Sequence, residues 1–210
     1  MDINSNIIAY ELLADFSISQ FNDFENLPHQ ERCDLFINQI LLVNKLKDLS
    51  KEKRMFSVNI TMDVAEYVIN RPELLDFIFS LREILRIEIS ERFDFKNKTR
   101  MKDILTVLAN SCPLWLDDFS DQMCSVDVLY EYPFEYIKID KDFYWCYGDN
   151  SVILSLINKV CAYHSISVIV EGINSNASFA FARSLNFKGY QGHLWHSLSQ
   201  DSVLSEFVTI

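Results

Sequence analysis

Seven short β-forming runs alternate with amphipathic helical stretches along the chain, and this alternation limits the fold more than any other feature. The runs are IIAYELL (7–13), MFSVNI (55–60), ILRIEIS (84–90), PLWLDD (113–118), YIKID (136–140), ISVIVEG (166–172) and GYQGHLW (189–195). Between them lie stretches such as RCDLFINQILLVNKLKDL and VILSLINKVCAYH, whose apolar residues recur at helical spacing. Strands that alternate with helices over this length pair in parallel, each helix serving as a crossover. The fold class is therefore α/β, either an open doubly wound sheet or a (β/α) barrel. No Pro-, Gly- or Ser-rich linker interrupts the pattern, so residues 1–210 are read as a single domain.

Each run also delivers a polar residue near its C-terminal end: Glu11, Asn59, Glu88, Asp117 with Asp118, Lys138 with Asp140, Glu171, and Gln191. In a closed (β/α) barrel those ends converge on one face, where barrel enzymes carry their chemistry. Asp117 and Asp118 repel one another at the end of the apolar PLWL, and a cation, hydrogen-bond donors or solvent must receive them. Glu11, Asn59, Glu88 and Asp117 are hard oxygen donors of the kind Mg²⁺, Mn²⁺ or Ca²⁺ prefers. A second cation would activate water for phosphodiester cleavage, with Lys138 orienting that water and Glu171 taking its proton. The alternative for Lys138 is an internal counter-ion to Asp117 or Asp118, with no metal.

Composition narrows the chemistry further. A net charge of −11 argues against direct binding to a phosphate backbone, which rests on Lys and Arg. The chain has four glycines, where average usage would give about 15. Phosphate-cradling loops need glycine for close backbone approach, so P-loop and Rossmann binding are excluded. Five scattered cysteines, odd in number, read as reduced thiols. No apolar run reaches the ~18 residues of a membrane helix, and a cytoplasmic location is expected.

The constellation resembles the EAL domain, the cyclic di-GMP phosphodiesterase family of bacteria, over essentially the whole chain. The matching segments are YELLADF, SVNI, IEISE, LDDF, FEYIKID, VEGIN and YQGHLW, in that order. The resemblance implies a TIM-type (β/α) barrel in which Glu11, Asn59, Glu88 and Asp117 are metal ligands and Asp118 serves a second metal. It makes Lys138 the water-orienting residue and Glu171 the base-side carboxylate. Glu91 matches the glutamate that steadies the catalytic loop, while Asp140 and Gln191 belong to the surrounding loop and water network.

Departures from the family pattern fall on the substrate grip. Asp15 stands where the signature arginine binds a substrate phosphate, and exchanging attraction for repulsion costs about 2 kcal/mol, about thirtyfold in affinity. Ser120, Asp121 and Gln122 replace a glycine-rich G-T-G loop, and Asn174 replaces a second glutamate. Ten residues precede Glu11, so most of the family's first strand is expected to be missing.

These changes are similar to those in the anti-FlhDC factors of enteric bacteria, which bind the FlhD subunit of the flagellar master regulator and block its DNA binding. The expectation is thus a catalytically inactive protein that represses flagellar genes through a protein partner, FlhD. It would need no cofactor, contact neither nucleic acid nor membrane, and bind cyclic di-GMP weakly or not at all. One alternative is an active phosphodiesterase producing linear pGpG with Mg²⁺ or Mn²⁺; another is a non-catalytic cyclic di-GMP sensor. Phe143, Tyr144, Trp145 and Tyr147 are candidate partner contacts, because four aromatics in five positions cannot all face one core. Otherwise they fill the gap left by the missing strand.

Overall fold

The computed structural model describes residues 1–2, 4, 6–14, 26–49, 54–90, 93, 97–120, 128–147, 151–195 and 197–199. Its first half runs β1 (Ala9–Leu12), α1 (His29–Leu49), β2 (Met55–Ile60), α2 (Met62–Ile69), α3 (Pro72–Ser80), β3 (Leu85–Ser90) and α4 (Lys98–Ser111). The second half runs β4 (Leu114–Phe119), α5 (Val128–Glu131), β5 (Phe134–Ile139), α6 (Lys141–Tyr147), α7 (Ser151–Tyr163), β6 (Ser167–Val170), α8 (Asn176–Ser184) and β7 (Gly189–Tyr190). The seven strands among the described residues pair in parallel in one sheet, in sequence order.

Period-2 alternation sorts each strand's side chains between two environments. Phe56, Val58, Leu85, Ile87, Leu114, Leu116, Ile137, Val168 and Val170 are buried in the hydrophobic core. That core lies between the sheet and its helices: α1 contributes Cys33, Phe36, Ile40 and Val43, and α4 contributes Met101, Ile104, Leu105 and Leu108. The intervening residues, among them Ser57, Asn59, Glu88, Asp117 and Lys138, are left to the concave side.

The concavity follows from one distance. β1 and β5 are four places apart in the strand order, which in a flat sheet would separate them by about 19 Å. Lys138 Nζ on β5 nevertheless lies 3.1 Å from Glu11 Oε2 on β1. The sheet therefore curls as a barrel does.

It does not close. β7 has two residues and pairs with β6, and among the described strands it does not pair with β1. Met1 pairs with the outer edge of β7: its amino group donates to Tyr190 O at 2.9 Å, and the Tyr190 N–H donates to Met1 O at 2.9 Å. That reciprocal exchange is a single rung of the antiparallel type. Among the described residues the curled sheet has seven strands, in line with the expected (β/α) barrel lacking most of one strand. Among the described residues, no helix is long and apolar enough to cross a membrane.

Candidate functional site

Alternation on β5 sends Ile137 and Ile139 into the core and leaves Lys138 inside the curl, 1% exposed. A buried ammonium is tenable only when it is paired and hydrogen-bonded. Lys138 Nζ lies 3.1 Å from Glu11, 3.0 Å from Glu88, 2.8 Å from Asp117 and 2.9 Å from Glu171. The four carboxylates come from β1, β3, β4 and the residue after β6. Asn59 Nδ2 donates to Glu11 at 2.9 Å and Gln191 Nε2 does so at 2.8 Å, which fixes the Glu11 carboxylate.

The sequence set Asp117 and Asp118 side by side, and neighbours on a strand normally face opposite ways. The register between β4 and β5 shifts between Leu116 and Phe119, and Asp118 adopts a left-handed φ of 54°. This irregularity brings both carboxylates into one cluster with Glu171, their oxygens within 4.8 Å of one another.

Burial and crowding set the titration. Burial pushes Glu88 up to about 8, with Glu11 and Asp117 adding repulsion and Lys138 pulling the other way. Burial likewise pushes Glu171 up to about 7. For Glu11 the same desolvation is outweighed by Lys138 and by the Gln191 and Asn59 amides, which hold it below its ordinary value. Burial works against the Lys138 ammonium, but Glu88, Glu11, Asp117 and Glu171 keep its pKa well above the ordinary value.

Five carboxylates thus share the space with one ammonium. Glu11, Glu88 and Asp117 present oxygens within 4.8 Å of one another, as do Asp117, Asp118 and Glu171. Glu88 Oε1 and Asp117 Oδ1 are buried without a hydrogen-bond partner, so the 2.8 Å Lys138–Asp117 approach is a charge contact rather than a hydrogen bond. Hard oxygen donors with buried, unused lone pairs fit a divalent cation in either triad. Lys138 already occupies part of both.

The remaining predicted residues lie around this cluster or apart from it. Asp140 Oδ1 accepts from the Asp142 and Phe143 N–H groups at 2.9 and 3.0 Å and caps α6. Asn174 is exposed and accepts from the Ser178 hydroxyl at 3.4 Å, at the start of α8. Ser120 is half-buried just past β4. Asp15, Glu91, Asp121 and Gln122 lie outside the described residues.

The aromatic cluster needs correction as a contact surface. Phe143 and Tyr144 are buried, with the Tyr144 hydroxyl donating to Ser178 O at 2.9 Å, and neither is available to a partner. Tyr147 packs on Phe143 at 4.6 Å between ring centroids. Trp145 is 50% exposed, and its Nε1 donates to Gly172 O at 3.0 Å, immediately after Glu171.

That contact depends on glycine. Gly172 has φ +75°, and a Cβ there would lie 2.7 Å from Lys141 Cβ and 3.0 Å from the Trp145 ring. Gly172→Ala is expected to lower stability by about 1–3 kcal/mol in urea unfolding and to shift Trp145 emission to the red. Unchanged emission would dissociate Trp145 from this seat.

Two further features gave no sequence signal. Arg86 pairs with Glu135 at 2.6 Å, and Trp115 Nε1 donates to the same carboxylate at 2.9 Å. The Met1–Tyr190 rung joins residues 189 positions apart. Both depend on curvature rather than local pattern.

The family model of the EAL domain matches residues 3–197. The anti-FlhC(2)FlhD(4) factor YdiV of Salmonella paratyphi B is 22% identical over 209 residues, covering 94% of this chain and 88% of the relative. The cyclic di-GMP phosphodiesterase PdeH of Escherichia coli K12 is 29% identical over 164 residues, covering 72% of this chain and 59% of the relative. The crystal structure of the EAL-like domain protein YdiV superposes with a TM-score of 0.74 at 19% identity, over 86% of this chain and 78% of that one. The same curled architecture is shared.

Proposed function

The chain belongs to the EAL-domain family, and on that premise we propose that it is a non-catalytic member acting as an anti-FlhDC factor. In this reading it binds the FlhD subunit of the flagellar regulator, blocks the regulator's DNA binding and represses motility genes. The observation that carries the proposal is the likeness, over 94% of the chain, to a protein named for that activity. The site supports it from the other side. Lys138 holds together the carboxylates a catalytic metal would need, so the cluster keeps its shape by internal charge pairing. An acidic inhibitor with a net charge of −11 also suits a DNA-binding partner, whose basic surface it attracts.

A second reading is favoured by a specific observation. The oxygen donors of Glu11, Asn59, Glu88, Asp117 and Asp118 are all retained, and a relative is named a cyclic di-GMP phosphodiesterase. If Mg²⁺ or Mn²⁺ binds there, it supplies charge to lower the pKa of bound water. The chain's own part is then to orient the reactants with Lys138 and to accept a proton at Glu171.

Calorimetry separates the two readings. Titration with cyclic di-GMP in Mg²⁺ or Mn²⁺ is expected to give no heat and no linear product, while purified FlhC₂FlhD₄ co-elutes with the chain and loses its operator complex in a gel-shift assay. Micromolar cyclic di-GMP binding with turnover overturns the non-catalytic reading. Failure to co-elute overturns the partner.

A further inference from the structure

A cavity of about 2500 Å³ runs from the mouth of the curl, at Glu11, Glu171 and Gly172, into the gap between β1 and β7. Ile8 and Leu13 line it beside β1, Leu41 and Leu42 line it on α1, and Leu194 and Leu198 line it beyond β7. Apolar side chains at its margin face solvent: Leu13 is 73% exposed, Leu41 46% and Leu198 46%. Glu31 and Asp34, both exposed on α1, stand in the same lining.

The β7 edge also shows what kind of occupant it accepts. Tyr190 exchanges both of its backbone hydrogen bonds with one residue, Met1, in the manner of an antiparallel strand. Met1 fills that rung, and the groove continues past it along β1.

We propose that this groove is the docking site for the regulator: an extended segment of FlhC₂FlhD₄, apolar on one face and flanked by Lys or Arg, lies along the outer edge of β1, in the gap between β1 and β7. The inference rests on the anti-FlhDC reading and adds the location and shape of the contact. Backbone pairing at a sheet edge supplies affinity, while the groove's leucines select alternate apolar side chains. Glu31 and Asp34, on a chain with net charge −11, favour basic flanks. Another exposed apolar surface, Val152, Leu156 and Tyr163 along α7, is a helix face that offers no backbone edge, and it serves as the control.

The test measures FlhC₂FlhD₄ binding to the full chain and to Leu13→Asp, Leu41→Asp and Leu156→Asp. It adds amide hydrogen exchange of residues 9–13 with and without the regulator. Leu13→Asp and Leu41→Asp are expected to weaken binding about thirtyfold or more, as loss of a central apolar anchor does. Leu156→Asp should bind like the parent, and those of the 9–13 amides that β2 does not already protect should slow in the complex. Hydrogen exchange on the unsubstituted chain keeps the test valid if a variant fails to fold.

A complex that forms with the 9–13 amides unchanged overturns the docking site and leaves the functional reading intact. Full protection of those amides in the free chain means that the chain covers its own groove, which also overturns the site. A homodimer broken by Leu41→Asp assigns the groove to a second copy instead. No complex with the unsubstituted chain overturns the functional reading and the site together.

Discussion

Lys138→Met is expected to destabilise the fold by about 3–5 kcal/mol at neutral pH, the range for removing one partner of a buried ion pair. Methionine keeps the length and apolar stem of lysine but removes the charge that Glu11, Glu88, Asp117 and Glu171 share. Those carboxylates would then face one another across a few ångströms, and the Asn59 and Gln191 amides donate to Glu11 alone among them. For a chain of this size, about 2–4 °C of melting temperature is lost per kcal/mol, so a fall of about 10 °C is expected. Two conditions should restore stability: acidification, which protonates the carboxylates, and millimolar Mg²⁺ or Mn²⁺, which replaces the missing charge. Thermal unfolding with and without metal reads both. A variant as stable as the parent and indifferent to metal would show that the ammonium is not what holds the strand ends together.

The second large effect concerns pH. Glu88 has its folded pKa raised from 4.5 to about 8 and Glu171 from 4.5 to about 7. Between pH 4.5 and those values, the folded chain keeps protons that the unfolded chain has released. Stability therefore falls as pH rises through that interval, and the full penalty is present above it. Glu11, lowered, runs the other way, but only near and below its own unfolded value. Urea unfolding without metal should thus show stability declining from pH 5 to pH 8. Glu88→Gln removes the larger contribution and should flatten the slope, recovering about 1–3 kcal/mol of the decline. The discriminating quantity is the slope, since the same substitution also removes one charge contact with Lys138. A slope identical to the parent's would mean that Glu88 does not titrate in this range.

Much of the fold was legible because it depends on local pattern. MFSVNI is β2 as read, and the runs at 84–90 and 113–118 fall within a residue of β3 and β4. The last run was read to Trp195 but ends as a strand at Tyr190. There the chain turns onto the segment after β6: the Leu194 N–H donates to Ile173 O, and a Cβ at Gly192 would lie 2.2 Å from that oxygen. No alternation pattern records such an approach. The aromatic cluster was misread for a different reason. On a helix, positions 143, 144 and 147 share one side, and Trp145 points away from them. Treating the five positions as a linear run hid that division.

The site divides the same way. Which residues gather at the strand ends was readable, since each strand presents its polar residue on the concave side at its C-terminal end. How they are partnered was not. Lys138 paired with Asp117, as one reading held, and in addition with Glu11, Glu88 and Glu171, whose approach depends on the curl. Asp118 joined the cluster through the register shift beside Leu116, which neighbouring residues in the sequence do not reveal.

The Lys138 cluster also bears on how such a protein changes over generations. Each carboxylate is tolerable because the ammonium is present, and the ammonium is tolerable because the carboxylates are. Substitutions at these positions are therefore strongly epistatic: losing Lys138 alone strands the carboxylates, and the effect of losing any one carboxylate depends on the others. Purifying selection for folding would preserve the set after selection for turnover has lapsed. A lineage can lose its substrate arginine and its glycine loop at little cost to folding while its ligand residues stay frozen, so an intact set of acidic ligands in a sequence of this family is not by itself a certificate of activity.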